Sequence, residues 1–123
     1  MSNQKTVLIV EDEIVLQDVY KLILNSKGYN VVTANNGAEG ISQLKKHMPD
    51  LVLLDVFMPV MDGKQFLRSV NLKDFPGTTV VVYTNLSDAD TKKEVHDLGA
   101  SDFVVKASMT PDDLIDMVAH YIG

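Results

Sequence analysis

Residues 51–55 read LVLLD, and this stretch of the 123-residue sequence decides the fold. Its four consecutive apolar side chains do not alternate with polar ones, which predicts a strand covered on both faces, as in a parallel sheet. The charged Asp55 ends the apolar run, so the strand is predicted to end there. A strand of this kind needs helices above and below it, and the flanking sequence supplies them.

Four further apolar runs suited to buried strands lie on either side, at residues 6–10, 29–34, 79–83 and 103–105. A stretch with helical signals follows each strand. The first helix is predicted to end at Lys27-Gly28 and the second to end before Pro49. The third helix is predicted to span about residues 62–70. The fourth is predicted to run from a capping box at residues 87–90 to Leu98-Gly99, and the fifth to begin at Thr110-Pro111. Five βα units predict a doubly wound, five-stranded parallel sheet with five helices.

Two of the helices show clear apolar faces at helical spacing. In the first helix the face consists of Ile14, Leu16, Val19, Tyr20, Ile23 and Leu24, and in the last helix of Leu114, Ile115, Val118, Ala119 and Ile122. The three histidines, His47, His96 and His120, lie far apart without metal-ligand spacing and are predicted to be surface residues.

Composition predicts one domain over residues 1–123, because a chain of this length with 46% hydrophobic residues has room for one core. It contains no cysteine, which excludes disulfides, thiolate metal sites and cysteine nucleophiles and favours a reducing compartment such as the cytoplasm. The net charge of −6 opposes direct binding to nucleic acid. No apolar run is long enough for membrane insertion, and the N-terminus is polar rather than a signal peptide.

Polar side chains follow the predicted strands, at the edge of the sheet where doubly wound folds bind ligands. If the first and third strands are neighbours, Glu11, Asp12 and Asp55 converge, and such like charges require a cation. Oxygen-only donors favour Mg²⁺ over zinc. Taken alone, the acidic residues 11–13 fit a helix cap equally well, but Asp55 favours a metal site. Thr84 and Lys106 follow the fourth and fifth strands.

Four segments in this order resemble the receiver domain of two-component response regulators, and the resemblance covers nearly the whole chain. The segments are residues 7–13 (VLIVEDE), residues 51–63 (LVLLDVFMPVMDG), the strand ending at Thr84, and residues 103–106 (FVVK). Each is a weak signal alone, but four in the right order at strand ends are a strong one. The resemblance implies a flavodoxin-like (βα)5 fold of the stand-alone, chemotaxis-regulator-like type, since no output domain follows Gly123.

The resemblance implies that Asp55 is the phosphoacceptor. Asp12 and Asp55 would bind Mg²⁺ together with the backbone carbonyl of Phe57, and Glu11 would contribute directly or through water. The cation offsets charge that develops on the phosphoryl oxygens during transfer. Lys106 would pair with another phosphoryl oxygen.

The resemblance also implies a switch. The Thr84 hydroxyl would bind a phosphoryl oxygen and draw its loop inward, and Phe103 would change rotamer, which creates a new surface on the last two helices. In this family the positions of Phe57 and Leu86 flank the approach of water to the phosphate.

The sequence departs from the family pattern at two positions. Receiver domains usually carry a proline after the lysine, often across a cis bond, but here Lys106 is followed by Ala107. A cis bond before alanine costs about 3 kcal/mol, so we expect a trans bond and a different coupling to the last helix. Asn85 stands where a small residue is usual, which narrows the access to the phosphate.

The implied function is phosphorelay signalling rather than enzymatic turnover of a substrate. The domain would accept a phosphoryl group from a sensor histidine kinase or a histidine phosphotransfer protein and assist its own phosphorylation and dephosphorylation. It would then act on an unknown downstream protein.

Three other functions fit the sequence less well. An aspartyl-phosphate phosphohydrolase needs a second acid two residues after its nucleophile, where Phe57 stands. An FMN-binding module would place its phosphate against the acidic residues 11–13, which repel it. A receiver-like module that is never phosphorylated has no need of Asp12, Asp55 and Lys106 together.

Overall fold

The computed structural model describes residues 4–58, 60–85 and 89–123, and within them five strands and five helices alternate. The strands are β1 (Thr6–Val10), β2 (Asn30–Ala34), β3 (Leu51–Asp55), β4 (Thr79–Thr84) and β5 (Asp102–Val105). The helices are α1 (Ile14–Ser26), α2 (Gly37–His47), α3 (Gly63–Ser69), α4 (Ala89–Asp97) and α5 (Pro111–Ile122). Two short 3₁₀ helices, Leu72–Asp74 and Lys106–Ser108, precede β4 and follow β5.

The five strands form one parallel sheet in the order β2-β1-β3-β4-β5. Strand order reverses at β1, because the chain adds β2 on one side and then crosses to β3 on the other. The prediction of a doubly wound parallel sheet with five helices is therefore confirmed. Val10 pairs with Leu54 where β1 meets β3, so the residues that follow these two strands lie side by side.

The sheet is covered on both faces, as the LVLLD stretch predicts, and all five residues of β3 are buried. Successive side chains along each strand enter opposite apolar clusters. The cluster under α1 and α5 includes Ile9, Leu53 and Val81, and the cluster under α2, α3 and α4 includes Val10, Leu54 and Val82. Burying each of these side chains contributes roughly 1.5–3 kcal/mol, so this double-sided packing dominates the stability of the sheet.

The start of α5 shows the capping predicted from its local sequence. The Thr110 hydroxyl accepts a hydrogen bond from the Asp113 N–H at 3.1 Å, and the Asp113 carboxylate accepts one from the Thr110 N–H at 3.0 Å. Pro111 occupies the first helical position, where its missing N–H is not needed. The capping box predicted for α4 depends on Ser87, which lies outside the described residues together with Asp88.

The predicted apolar faces are wrong at three positions. Ile14 and Val19 of α1 are 53% and 44% exposed, and Ala119 of α5 is exposed as well. Each helix contacts the sheet through a narrower line of side chains spaced three or four residues apart, which leaves the flanking positions in solvent. The buried residues are Gln17, Tyr20 and Leu24 in α1, and Leu114 and Val118 in α5.

Two smaller predictions are confirmed by the structure. His47, His96 and His120 are exposed, as predicted. No peptide bond is cis in the part of the chain that the structure describes, which agrees with the trans bond expected between Lys106 and Ala107. Within the same residues, no helix combines the length and the apolar character needed to cross a membrane.

Candidate functional site

Three carboxylates meet at the carboxyl edge of the sheet, where β1 and β3 end side by side. Glu11 follows β1 and is fully buried, Asp55 ends β3 and is 4% exposed, and Asp12 is more accessible. Each offers a carboxylate oxygen, and these oxygens lie within 4.8 Å of one another. Oxygen donors at this spacing fit a hard divalent cation such as Mg²⁺.

Lys106 supplies the positive charge beside these acids. It follows β5, and its Nζ lies 2.6 Å from Glu11 Oε1 and 3.0 Å from Asp55 Oδ2. The Lys106 side chain is only 8% exposed, so both ion pairs are shielded from water. Salt bridges buried to this degree are strongly unfavourable to break, because each partner left behind is an unpaired charge.

Burial and neighbouring charge shift the ionisation of this cluster. Burial, together with the charge of the Glu11 carboxylate, raises the pKa of Asp55 to about 6, although Lys106 acts in the opposite direction. Burial also raises the pKa of Asp12, together with its contact to Glu11. For Glu11 the effect of burial is outweighed by hydrogen bonds from Lys106 and Glu13, so its pKa is lowered. At neutral pH the site therefore holds ionised acids around one ammonium group.

Burial by itself would lower the pKa of Lys106, but the hydrogen bonds and charges of Glu11 and Asp55 raise it. The lysine consequently stays charged and remains a hydrogen-bond donor to both acids. Its net attraction to the acids is what allows two carboxylates to be buried together.

The remaining residues singled out in the sequence surround this cluster. Phe57 donates its backbone N–H to Asp55 Oδ1 at 3.2 Å, while its side chain is 51% exposed. Thr84 is buried at the end of β4, and Asn85 follows it in an exposed position. Phe103 is half-buried against the cluster under α2, α3 and α4. Leu86 lies outside the described residues.

Two residues at the site were not singled out in the sequence. The Tyr83 hydroxyl donates to Glu11 Oε1 at 3.0 Å, and the Gln17 amide donates to the Glu11 carbonyl at 3.0 Å. The alternation of strand residues carries a signal for Tyr83, since it continues the face of Val81 that leads to the site. For Gln17 the signal is its position three residues before Tyr20, which places this polar residue on the buried face of α1.

Fold and site together define a doubly wound α/β domain with a carboxylate and lysine cluster at the point where strand order reverses. The family model described as "Response regulator receiver domain" matches residues 7–119. The chain belongs to this family, whose members are signal-transduction components of two-component systems.

Relatives and solved structures agree with this membership. The chain is 35% identical over 103 residues to the probable C4-dicarboxylate response regulator DctR of Priestia megaterium. The aligned region covers 82% of this chain and 45% of that protein. It is 33% identical over 113 residues to the response regulator ArlR of Staphylococcus aureus, and this aligned region covers 92% of this chain and 49% of that protein. The chain thus spans less than half the length of these two relatives.

Two crystal structures show the same fold over nearly the whole chain. A CheY-like response regulator receiver domain protein from Methanospirillum hungatei superposes with a TM-score of 0.90 at 27% identity, covering 98% of this chain and 94% of that chain. The chemotaxis protein CheY4 of Vibrio cholerae superposes with a TM-score of 0.88 at 28% identity, covering 96% and 98%.

Proposed function

We propose that this receiver accepts a phosphoryl group on Asp55 from the phosphohistidine of a sensor histidine kinase or a histidine phosphotransfer protein, with Mg²⁺ as cofactor. One observation carries the proposal: Asp55 ends the central strand within 4.8 Å of two further carboxylates and 3.0 Å from a buried ammonium group. The receiver family supports it, because a site of this composition suits phosphoryl transfer.

The nucleophile is an oxygen of the Asp55 carboxylate. With its pKa raised to about 6, this group is mostly ionised at pH 7, so it needs no general base. A bond forms between the Asp55 oxygen and phosphorus as the bond from phosphorus to the histidine nitrogen breaks, and the histidine leaves with its electron pair. Lys106 already contacts Asp55 and is placed to bind an oxygen of the incoming group.

Glu11, Asp12 and Asp55 are the side chains that would hold Mg²⁺, with the backbone carbonyl of Phe57 as a further ligand. Bound there, the ion would offset the negative charge on the phosphoryl oxygens. The carboxylates would hold the ion beside the nucleophile, and Asp12 is the most accessible of the three.

In the same proposal, Thr84 and Phe103 carry the signal away from the site. The Thr84 hydroxyl binds a phosphoryl oxygen, and Phe103 then moves within its half-buried position beside α4. The surface formed by α4, β5 and α5 changes and is read by a downstream protein. The receiver works in the cytoplasm, binds no nucleic acid itself, and turns over no substrate other than its own phosphoryl group.

Mass spectrometry of the intact protein after incubation with acetyl phosphate and Mg²⁺ tests this function. We expect one phosphoryl adduct on the wild type, and none on Asp55→Asn. Asp116→Asn is the matched control, because Asp116 is an exposed acid of α5 that is not one of the three clustered carboxylates. The absence of an adduct on the wild type, or its persistence in Asp55→Asn, would refute the assignment.

A further inference from the structure

The hydroxyl of Tyr83 is a buried polar group that lies among apolar side chains. Tyr83 is fully buried, and the side chains beside it in the cluster under α1 and α5 include Val81, Leu53 and Ile9. Packing among these apolar side chains requires the ring but not the hydroxyl, and a buried tyrosine hydroxyl needs a partner. Its partner is Glu11 Oε1 at 3.0 Å.

Glu11 is held by three donors from three different parts of the chain. Oε1 accepts hydrogen bonds from Tyr83 and from Lys106, and Oε2 accepts one from the Glu13 N–H at 3.0 Å. Of the two donors on Oε1, Lys106 also donates to Asp55, whereas the Tyr83 hydroxyl reaches Glu11 from strand β4. Tyr83 is therefore the donor on Oε1 that is not shared with the proposed phosphoacceptor.

We propose that Tyr83 is a positioning residue of this receiver, whose hydroxyl fixes the Glu11 carboxylate in the orientation used for Mg²⁺ binding. The proposal rests on the function proposed above for the acidic cluster. Loss of a residue that hydrogen-bonds to a metal ligand and orients it typically lowers metal affinity by about 10- to 100-fold.

The ring of Tyr83 has a separate contact. Lys106 Nζ lies 4.9 Å from the ring centroid, within the range of a cation–π interaction. Tyr83→Phe removes the hydroxyl and keeps this ring, so it separates the contact to Glu11 from the contact to Lys106. Tyr121→Phe is a matched control, because its hydroxyl also donates to a carboxylate, Asp102 Oδ2 at 2.8 Å, at the opposite end of β5 from the site residues.

The first measurement is the Mg²⁺ dissociation constant of the unphosphorylated protein, taken from backbone amide shifts during titration with MgCl₂. We expect Tyr83→Phe to raise this constant about tenfold and Tyr121→Phe to leave it within about twofold of the wild type. A Tyr83→Phe constant within about twofold of the wild type would overturn the proposal. The amide spectrum reports in the same experiment that each variant is folded.

A double-mutant cycle tests whether Tyr83 acts through Glu11. In the Glu11→Gln background, adding Tyr83→Phe should change the Mg²⁺ dissociation constant by less than about twofold. The full tenfold effect in that background would mean that the hydroxyl acts by another route and would overturn the proposal.

Phosphorylation by acetyl phosphate gives an independent readout. In Tyr83→Phe the Mg²⁺ concentration for half-maximal rate should rise about tenfold, while the maximal rate at saturating Mg²⁺ stays within about twofold, because the ring against Lys106 is retained. A lower maximal rate with unchanged Mg²⁺ dependence would refute the role in metal binding. If the wild type binds Mg²⁺ as expected but takes up no phosphoryl group, the proposed function fails and the role of Tyr83 stands.

Discussion

At the scale of single residues, Asp55 combines two properties that oppose each other. A buried carboxylate beside Glu11 is unfavourable for folding, and burial accordingly raises the pKa of Asp55 to about 6. The same burial strips water from the nucleophile and places it against Lys106, which favours phosphoryl transfer. The charge of Asp55 therefore lowers the stability of the fold while it prepares the nucleophile. Removing this charge should raise the free energy of unfolding.

We predict that Asp55→Asn stabilises the metal-free protein in a pH-dependent manner. Because the pKa of Asp55 is raised from an ordinary value of about 4 to about 6, the folded state binds the proton more tightly than the unfolded chain. Wild-type stability then falls as the pH rises through this range, whereas the amide introduced by Asp55→Asn does not titrate. Above pH 7 the variant should be more stable by on the order of 1–3 kcal/mol, with almost no difference near pH 4.

Urea unfolding in the presence of chelator, at pH 4 and at pH 7.5, measures this difference. Glu11 remains as a partner of Lys106 in the variant, so the lysine is not left unpaired. Asp116→Asn, at an exposed acid, should show no comparable gain. A stability gain for Asp55→Asn that is the same at both pH values would contradict the raised pKa.

Lys106 has the reverse role, since it is the cation that permits the buried acids. We predict that Lys106→Met destabilises the metal-free protein by about 3 kcal/mol at pH 7.5, because it leaves Glu11 and Asp55 buried without a counterion. Lys64→Met removes an ion pair to Glu94 whose side chains are 26% and 33% exposed, and should lose at most about 1 kcal/mol. Equal losses for the two variants in urea unfolding would contradict the prediction.

At the scale of elements, the sequence predicts features that neighbouring residues determine better than features that depend on tertiary packing. The start of α5 was predictable because Thr110, Pro111 and Asp113 are neighbours in the chain. The exposure of Ile14 and Val19 was not, because the spacing of apolar residues shows that a helix has an apolar side but not how much of that side the sheet covers. Coverage depends on how α1 packs against the sheet and against α5, which is a property of the assembled layers.

The carboxyl edge of the sheet shows the same limit. The convergence of Glu11 and Asp55 follows once β1 and β3 are neighbours, so it could be anticipated from the topology. The hydrogen bond from Tyr83 to Glu11 joins residues 72 positions apart and depends on strand register, in which Asp55 pairs with Tyr83. A single sequence contains the alternation that puts Tyr83 on this face, but not the register that brings it to Glu11.

The loop after β3 and the segment after β4 are predicted to control the lifetime of the phosphorylated state. Phe57 is bulky and apolar and cannot hydrogen-bond a water attacking the Asp55 phosphoryl group in line, and Leu86, which lies outside the described residues, has the same chemistry. We expect a long-lived aspartyl phosphate, and Phe57→Asn with Leu86→Ser should shorten its lifetime by roughly tenfold.

Loss of the phosphoryl adduct over time, followed by intact mass after removal of acetyl phosphate, measures that lifetime. Val60→Ser is the control, because Val60 is a similarly exposed apolar residue in the same loop, at 56% compared with 51% for Phe57. An unchanged lifetime in the double variant would mean that the two side chains do not exclude water. A shortened lifetime in Val60→Ser would mean that the loop as a whole, rather than Phe57, is responsible.

At the scale of the whole molecule, the site is assembled from distant parts of the chain, so it exists only when the fold exists. Glu11 and Lys106, whose ion pair is buried, are 95 residues apart in the sequence. In an unfolded chain these groups are dispersed, and no preformed cluster is available to a cation. Ligands that bind the folded state alone shift the unfolding equilibrium, which couples Mg²⁺ at one edge of the sheet to the stability of all five strands.

We therefore predict that Mg²⁺ raises the unfolding temperature of the whole domain, and that the rise continues with the logarithm of the Mg²⁺ concentration once this exceeds the dissociation constant. At a Mg²⁺ concentration about ten times the dissociation constant, the gain is about 1.4 kcal/mol for a single site. Asp12→Ala should lose most of this gain, because it removes one of the three carboxylates of the cluster. Asp112→Ala removes an exposed acid from the first turn of α5 and changes the net charge equally, so it should retain the gain.

Thermal unfolding of the two variants across a MgCl₂ series, with ionic strength held constant by NaCl, measures this difference. An equal rise in both variants would mean that Mg²⁺ acts on the overall charge of −6 rather than at the carboxyl edge.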